Sequence, residues 1–186
     1  MVNNKIIILD RDGVINHDSD DFIKSVDEWQ PIEGSIEAIA KLTQAGYRIF
    51  VLTNQSGITR GLFSLETLGY IHAKMRHLVS AANGSIDGIY FCPHGPDDQC
   101  DCRKPLPGLY NQLTAEHNVS FNGVFSIGDS IRDFEAAKAA GATPVLVLTG
   151  KGQKSKQLIT RDNTHIFHNI STYASLAGFV EQLIEL

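Results

Sequence analysis

Four short polar clusters contain the side chains of this sequence that are best suited to chemistry. Two clusters supply carboxylates, one supplies hydroxyl and amide groups, and one supplies cations. In chain order they are Asp10-Arg11-Asp12-Gly13, Thr53-Asn54-Gln55-Ser56, Arg103-Lys104 and Gly128-Asp129-Ser130-Ile131-Arg132-Asp133. Carboxylate oxygens are ligands that Mg²⁺ prefers, and a lysine can offset the charge of a phosphoryl group during its transfer. Together the clusters predict a site for magnesium and phosphate.

Each cluster also has a purely structural interpretation. An Asp-x-Asp pair alone is usually part of a turn or a cap, and Thr53-Asn54 could be a turn or a helix N-cap. Arg103-Lys104 could be a solvated pair, and Asp133 could simply favour the N-terminus of a following helix. Placement favours the functional interpretation, because the clusters come after apolar runs that read as strands.

Three cysteines and one histidine lie within residues 92–102. The four residues are Cys92, His94, Cys100 and Cys102. An odd number of cysteines at this spacing fits a disulfide framework poorly, whereas three thiolates and an imidazole form a closed tetrahedral site that suits structural zinc. The alternative, buried cysteines beside an incidental histidine, is disfavoured by the paired Cys-x-His and Cys-x-Cys spacing. Because Arg103 and Lys104 follow Cys102 directly, a zinc loop would also fix both cations.

The elements that must position these residues are short apolar runs alternating with helical patterns. The runs predict strands over residues 5–9, 48–52, 86–91, 123–127 and 144–148, with a sixth over 164–167. The helical patterns cover residues 35–45, 65–82, 107–117, 134–140 and 173–186. This alternation predicts an α/β fold with a central parallel sheet flanked by helices. Ligands bind beyond the carboxyl ends of such strands, where the polar clusters fall.

Composition excludes several classes of protein. The chain has 186 residues, 42% of them hydrophobic, and a net charge of −5, so it can bury a core and is not disordered. No run approaches the roughly 20 apolar residues of a membrane helix, and the first residues do not resemble a signal peptide. We therefore expect a cytoplasmic protein without a membrane partner. A pI near 5.7 argues against nucleic acid as a partner.

The motifs resemble those of the haloacid dehalogenase (HAD) superfamily of phosphohydrolases. Asp10-x-Asp12-Gly13-x-Ile15 is similar to the first motif, Thr53 to the second, Lys104 to the third, and Gly128-Asp129 with Asp133 to the fourth. The resemblance covers about residues 5–148 and implies one Rossmann-like domain over residues 1–186. The spacers between the strands leave room for only a minimal cap. Since one chain can supply every motif, we expect a monomer.

The resemblance also implies a role for each motif residue. Asp10 would attack phosphorus as a nucleophile, and Asp12 would act as general acid and then as general base. Thr53 and Lys104 would bind the phosphoryl oxygens during transfer. Magnesium would be held by Asp10, by the backbone carbonyl of Asp12 and by Asp129.

Within the superfamily, the zinc loop narrows the resemblance further. Cys-Pro-His…Cys-x-Cys-Arg-Lys-Pro, combined with Asp-Arg-Asp-Gly-Val-Ile-Asn and Thr-Asn-Gln-Ser-Gly-Ile, resembles the family of D-glycero-D-manno-heptose-1,7-bisphosphate 7-phosphatases. That family removes the C7 phosphate during synthesis of the ADP-heptose precursor of lipopolysaccharide and related glycans. The implied substrate is a small phosphorylated sugar, in contact with Asp18, Ser19, Asp20, Asp21, Thr53, Asn54, Gln55, Ser56, Arg103 and Lys104. The loop between His94 and Cys100 is shorter than in some members, so the preferred anomer at C1 stays open.

Other functions remain possible on the same residues. Histidinol-phosphate phosphatases share the architecture, and the acidic stretch Asp18–Asp21 would suit their cationic substrate, whereas Arg103 and Arg60 would suit a second phosphate. A receiver-like phosphoacceptor domain is a non-enzymatic alternative, but its acids cluster in a different order and it has no general acid two residues after the nucleophile. A zinc-stapled binding module with a dead site would be expected to have lost Asp10, Asp12 or Lys104, and all three are present.

Overall fold

Six strands and six helices alternate along the part of the chain that the structure describes. The computed structural model describes residues 5–161 and 165–185. The strands are β1 (Ile6–Leu9), β2 (Arg48–Asn54), β3 (Gly88–Cys92), β4 (Phe125–Gly128), β5 (Thr143–Val147) and β6 (Ser171–Tyr173). The helices are α1 (Ser35–Gln44), α2 (Leu65–Ala81), α3 (Gly108–His117), α4 (Ile131–Ala140), α5 (Gly152–Thr160) and α6 (Leu176–Ile184). In the described ranges no helix has the length and apolarity needed to cross a bilayer.

The strands form one parallel sheet in the order β3-β2-β1-β4-β5-β6. This is the strand order of a Rossmann-type doubly wound sheet, so the predicted fold class is confirmed. The order reverses between β1 and β4, and such a switch point opens a crevice at the carboxyl ends of the strands. The backbone N–H of Asp10 donates to the carbonyl of Ile127 at 2.9 Å, which joins the two strands at that crevice.

Helices cover both faces of the sheet because alternate strand residues point to opposite sides. On one face, Ile7 and Leu9 of β1 belong to a core that includes buried residues of α1, α2 and α6. On the other face, Ile6 and Ile8 belong to a core with α3 and α4. A smaller cluster joins α4, β5 and α5 and consists of Phe134, Leu146, Ile159 and Phe167. The sheet is therefore buried on both sides, and its strand ends remain to form a site.

The sixth predicted strand is wrong. Residues 165–167 lie in a turn region, Thr164 lies outside the described residues, and the strand is Ser171–Tyr173. The apolar run was misleading because its residues separate: Phe167 is buried whereas Ile166 is 65% exposed. The edge strand itself is short and polar. For the same reason the last helix begins at Leu176 rather than at residue 173.

Helix α5 was missed by the sequence prediction. Its sequence, GQKSKQLIT, carries a weak apolar pattern, and its buried residues are Gly152, Ser155 and Ile159. Two of these three are small or polar, so hydrophobic periodicity gave little signal. The hydroxyl of Ser155 donates to the carbonyl of Asp129 at 2.7 Å, which explains why a polar residue is buried there. This helix thus supports the loop that carries Asp129.

Candidate active site

A cavity of about 220 Å³ lies at the carboxyl ends of the central strands. Its walls come from residues that follow β1, from the end of β2, from the loops after β3 and β5, and from the start of α4. The lining residues are Asp10, Asp12, Asp18, Ser19, Asp20, Phe22, Ile23, Thr53, Asn54, Gln55, Ser56, Arg60, Arg103, Lys104, Arg132 and Lys151. The fold therefore gathers almost every residue that the sequence had assigned to catalysis or substrate binding.

Asp21 is the exception among the predicted substrate-binding residues. It is exposed and does not line the cavity. The backbone turns at Phe22, whose φ is 66°, so that Phe22 rather than Asp21 faces the cavity. The carbonyl of Asp21 accepts a hydrogen bond from Lys24 at 2.7 Å, which stabilises that turn. The side chains of neighbouring acids in a loop thus point in different directions, and the sequence does not show which of them faces the cavity.

Three carboxylates form the floor of the site. Oxygens of Asp10, Asp129 and Asp133 lie within 4.8 Å of one another, and all three side chains are buried. Burial and the charges of Asp133 and Asp10 raise the pKa of Asp129 to about 8. Burial also raises the pKa of Asp10 to about 6, although Lys104 opposes that rise. Converging oxygens that resist ionisation in each other's presence are suited to a divalent cation, and hard oxygen donors fit Mg²⁺.

Asp129 is held by two glycines. Gly13 and Gly150 have φ values of 83° and 55°, and a Cβ at either position would approach Oδ2 of Asp129 to 2.0 or 2.2 Å. Side chains other than hydrogen would therefore displace the carboxylate. The hydroxyl of Thr149 donates to the carbonyl of Gly13 at 2.6 Å, and the N–H of Lys151 donates to Oδ2 of Asp129 at 2.7 Å. One backbone donor therefore holds the carboxylate, and the loops that carry Gly13 and Gly150 are joined beside it.

Lys104 lies between two of the floor carboxylates. Its Nζ is 2.9 Å from Oδ1 of Asp10 and 2.6 Å from Oδ1 of Asp133, and it donates to the carbonyl of Leu52 at 2.8 Å. Burial alone would lower the pKa of Lys104, but Asp10 and Asp133 raise it, so the amine stays protonated. The same carboxylate of Asp133 accepts the N–H of Ser130 at 3.0 Å at the start of α4. Asp133 therefore both caps the helix, as the structural interpretation held, and positions the lysine.

Asp12 has a different environment from Asp10. Arg11 contacts its carboxylate in a forked arrangement, with Nη2 2.9 Å from Oδ1 and 3.0 Å from Oδ2. Side-chain amides of Asn16 and Gln55 each donate to it at 2.8 Å. Burial would raise the pKa of Asp12, but Arg11 and these hydrogen bonds lower it overall. The environments of the two aspartates therefore shift their pKa values in opposite directions, upward for Asp10 and downward for Asp12.

Arg11 and His72 were not identified as site residues from the sequence. Arg11 is fully buried, and its Nη1 lies 3.3 Å from Nε2 of His72 in α2. Burial and the charge of Arg11 lower the pKa of His72 to about 3, so the ring is neutral and can accept a hydrogen bond from the guanidinium. The position of Arg11 within the motif was a usable signal. His72 had none, because only the fold brings α2 to the first loop.

The four predicted zinc ligands come together in one cluster. Ligand atoms of Cys92, His94, Cys100 and Cys102 all lie within 4.8 Å of one another, and the cysteines form no disulfide. Sγ of Cys92 is 3.7 Å from Sγ of Cys100, and Nδ1 of His94 is 3.3 Å from Sγ of Cys102. Three thiols and one imidazole converging on one point fit zinc, so this cluster can hold the ion.

Short contacts connect this cluster to the cavity. Nη1 of Arg103 donates to the carbonyl of His94 at 2.9 Å. Asn54 and Lys104 exchange two hydrogen bonds of 3.1 Å, one through each end of the Asn54 amide. Cys92 is the last residue of β3, and its carbonyl accepts the N–H of Gln55 at 2.7 Å. The zinc loop is therefore anchored beside the residues that line the site.

Removal of zinc is expected to lower kcat/KM by about 10- to 100-fold, as for other groups that orient a site from outside it. Without the ion, the loop that carries Arg103 and Lys104 loses its fixed geometry. The test is treatment with 1,10-phenanthroline, elemental analysis of the protein, and an assay with Mg²⁺ supplied in excess. Zinc added back to the same sample is the control and should restore the rate. Full activity after verified zinc loss would refute this coupling.

The remaining cavity residues divide by charge. Nζ of Lys151 lies 3.1 Å from Asp18 and 3.4 Å from Asp20, so these acids face a cation of the opposite loop. Arg60, Arg103 and Arg132 also line the cavity. Lys151 and Arg132 were missed as site residues, the first because the segment after residue 150 carries no recognised motif. Arg132 lies within the fourth polar cluster, so its position in the sequence already placed it near the site.

Two family models match the chain. Residues 7–85 match the model described as haloacid dehalogenase-like hydrolase, and residues 101–173 match the HAD-hydrolase-like model. Between them, these two segments contain all four polar clusters. The matches agree with the fold.

Curated relatives and solved structures give a narrower comparison. A D-glycero-beta-D-manno-heptose-1,7-bisphosphate 7-phosphatase of Pseudomonas aeruginosa is 51% identical over 174 residues, covering 94% of this chain and 98% of the relative. The protein of the same name from Neisseria meningitidis serogroup A is 56% identical over 151 residues, 81% of each chain. The crystal structure of D,D-heptose 1,7-bisphosphate phosphatase from B. bronchiseptica, complexed with magnesium and phosphate, has a TM-score of 0.90 at 47% identity. The match covers 97% of this chain and 98% of the chain in that crystal structure.

Proposed function

Because this chain belongs to the haloacid dehalogenase-like hydrolases, and within them to the family of D-glycero-beta-D-manno-heptose-1,7-bisphosphate 7-phosphatases, we propose that it hydrolyses the C7 phosphate ester of that sugar bisphosphate. The chain is a phosphatase of HAD type. The product, a heptose 1-phosphate, would enter the synthesis of the ADP-heptose precursor of lipopolysaccharide. The observation that carries the proposal is the floor of the cavity, where Asp10, Asp129 and Lys104 converge.

The first chemical step follows from the position of Asp10. One of its oxygens attacks phosphorus, the bond to the C7 oxygen breaks, and an aspartyl-phosphate forms. Asp12 delivers a proton to the departing alkoxide. Lys104, already in contact with Asp10, and the Thr53 hydroxyl donate to the phosphoryl oxygens. Approach of the anionic phosphate favours the protonated form of Asp12 despite the neighbouring Arg11 charge.

Water hydrolyses the aspartyl-phosphate in the second step. Asp12, ionised after the first step, takes a proton from the attacking water. Its orientation for this task comes from Arg11, Asn16 and Gln55, whose hydrogen bonds also lower its pKa. When bound by Asp10, Asp129 and the Asp12 carbonyl, Mg²⁺ neutralises charge on the transferring group. The crystal structure from B. bronchiseptica, in which magnesium and phosphate are bound, supports this cofactor.

The distribution of charge favours a sugar bisphosphate over histidinol phosphate. The acidic residues Asp18 and Asp20 are engaged by Lys151, so they offer less attraction to a cationic substrate. The arginines on the cavity wall can bind a second phosphate instead. The names of the relatives specify the beta anomer at C1, which we propose for this chain also.

Phosphate release from four substrates tests the proposal. With Mg²⁺, the β anomer of D-glycero-D-manno-heptose 1,7-bisphosphate should exceed the α anomer, histidinol phosphate and p-nitrophenyl phosphate by at least ~10-fold in kcat/KM, a margin of about 1.4 kcal/mol. A preference for histidinol phosphate would indicate a histidinol-phosphate phosphatase instead. Equal kcat/KM values for all four substrates would indicate a phosphatase without substrate preference.

Three further features are part of the same proposal. Residues 1–186 form a single domain, supported by one sheet that takes strands from both halves of the chain. The protein acts as a monomer without nucleic-acid or membrane partners, supported by a cavity lined from one chain. It works in the cytoplasm, supported by cysteines that gather as free thiols rather than as disulfides. Light scattering of the purified protein tests the oligomeric state.

A further inference from the structure

Three guanidinium groups line the cavity with few partners of their own. Arg60 contacts the ring of Phe22, with 5.8 Å between its Cζ and the ring centroid. Arg103 donates one hydrogen bond, to the carbonyl of His94. In the described ranges, 5–161 and 165–185, Nε of Arg132 is buried and has no hydrogen-bond partner, and Arg132 takes part in no ion pair within 4 Å. Buried donors of this kind are normally satisfied.

Arg132 lines the cavity from the helix that also carries Asp133. It is the second residue of α4, one position before Asp133, and its charge interacts with Asp133, Asp10, Asp129 and Asp18. Arg103 and Arg60 line the same cavity. Like charges gathered in one cavity repel each other, and an anion placed between them removes that repulsion.

Lys151 differs from these arginines because it is already paired. Its amine contacts Asp18 and Asp20. Lys104 is likewise engaged, since it lies between Asp10 and Asp133. Arg132 is therefore the half-buried cation of the cavity wall with an unsatisfied donor, and a guanidinium is suited to forked contacts with phosphate oxygens.

We propose that Arg132, together with Arg103, binds the phosphate of the substrate that is not transferred, and that Arg132 thereby determines the preference for a bisphosphate. The inference rests on the proposed function and adds a residue outside the sequence-predicted substrate set. Asp10 and Lys104 mark where the transferred phosphoryl group lies, and Arg132 and Arg103 line the same cavity. The cavity thus has two anion positions, one for each end of the sugar.

The test compares two substrates that differ only in the distal phosphate. For Arg132→Met we expect kcat/KM for β-heptose 1,7-bisphosphate to fall about 30-fold, mainly through KM, as for loss of a hydrogen-bonded charge contact. With heptose 7-phosphate the same variant should stay within ~3-fold of wild type. Arg132→Lys keeps the charge without the fork and should lie between. Arg161→Met removes an exposed arginine and is the matched control.

A binding measurement separates recognition from turnover. Isothermal titration of Asp10→Asn and of Asp10→Asn/Arg132→Met with the bisphosphate should show a Kd about 30-fold weaker in the double variant. In the kinetic comparison, an equal loss of kcat/KM with heptose 1,7-bisphosphate and with heptose 7-phosphate would overturn the inference, because Arg132 would then serve the transferred phosphoryl group. No loss with either would also overturn it. Failure of the proposed function is distinct: the wild-type enzyme would show no preference for heptose 1,7-bisphosphate.

Discussion

Replacing Asp10 with asparagine is expected to lower kcat by about 10⁴-fold or more while the protein remains folded, because loss of a covalent nucleophile leaves only binding and electrostatic effects. The change is nearly isosteric. The remaining carbonyl oxygen can still accept the N–H of Arg11, which Oδ1 of Asp10 accepts at 2.8 Å. Lys104 keeps its contact with Asp133. The measurement is steady-state phosphate release with Mg²⁺, accompanied by urea denaturation.

Stability makes this experiment informative beyond activity. Burial and neighbouring carboxylates raise the pKa of Asp10 to about 6, so its charge disfavours the folded state without a bound cation. In Mg²⁺-free buffer, Asp10→Asn should therefore not lower the free energy of unfolding. Asp27→Asn changes an exposed aspartate and is the control for a loss of charge. Turnover by Asp10→Asn near the wild-type rate would exclude Asp10 as nucleophile.

Replacing Lys104 with methionine is expected to damage both activity and stability. The amine contacts Asp10, Asp133 and the carbonyl of Leu52, and all three lose their partner. Removal of one member of a buried ion pair costs about 3–5 kcal/mol of unfolding free energy. Loss of one donor to the transferring group lowers kcat by about 10²–10³-fold. Urea denaturation in Mg²⁺-free buffer and phosphate-release kinetics measure the two effects.

A surface lysine provides the matched control for Lys104. Lys41 is exposed and lies 3.9 Å from Glu181, and Lys41→Met should change stability by less than about 1 kcal/mol. Added Mg²⁺ should restore part of the stability of Lys104→Met, because a cation can replace the lost charge among the carboxylates. If Lys104→Met were as stable as wild type without Mg²⁺, the ion pairs would contribute nothing to the fold. Lys104→Met is thus expected to lower the free energy of unfolding, whereas Asp10→Asn is not.

The convergence of Asp10 and Asp129 could be predicted from the sequence because each of them directly follows a strand. Asp10 and Asp129 come directly after β1 and β4, and the parallel sheet places those ends together. The zinc cluster could be predicted for a similar reason, since its ligands are close in the sequence and their chemistry is distinctive. In both cases local spacing and one topological rule are sufficient.

Prediction is weaker where a contact depends on a long-range approach. His72 reaches Arg11 only because α2 packs beside the first loop, and Lys151 reaches Asp18 only after the chain has passed β5. Neither residue lies in a motif of the expected kind. The edge strand Ser171–Tyr173 is missed because it is short and polar, so its position depends on pairing with β5 rather than on its own pattern. These features require the assembled sheet.

The two glycines around Asp129 also set the order in which a growing chain can acquire its site. Gly13 is synthesised before Asp129. Oδ2 of Asp129 can accept its hydrogen bond from the N–H of Lys151 only after residues 149–151 have been added. Thr149 then joins the carbonyl of Gly13, so the beginning of the chain and a segment near its end meet at one carboxylate. A nascent chain that stops at β4 has most of the sheet and no finished site. The surroundings of Asp129 are thus complete only after residues 149–151 have been added to the chain.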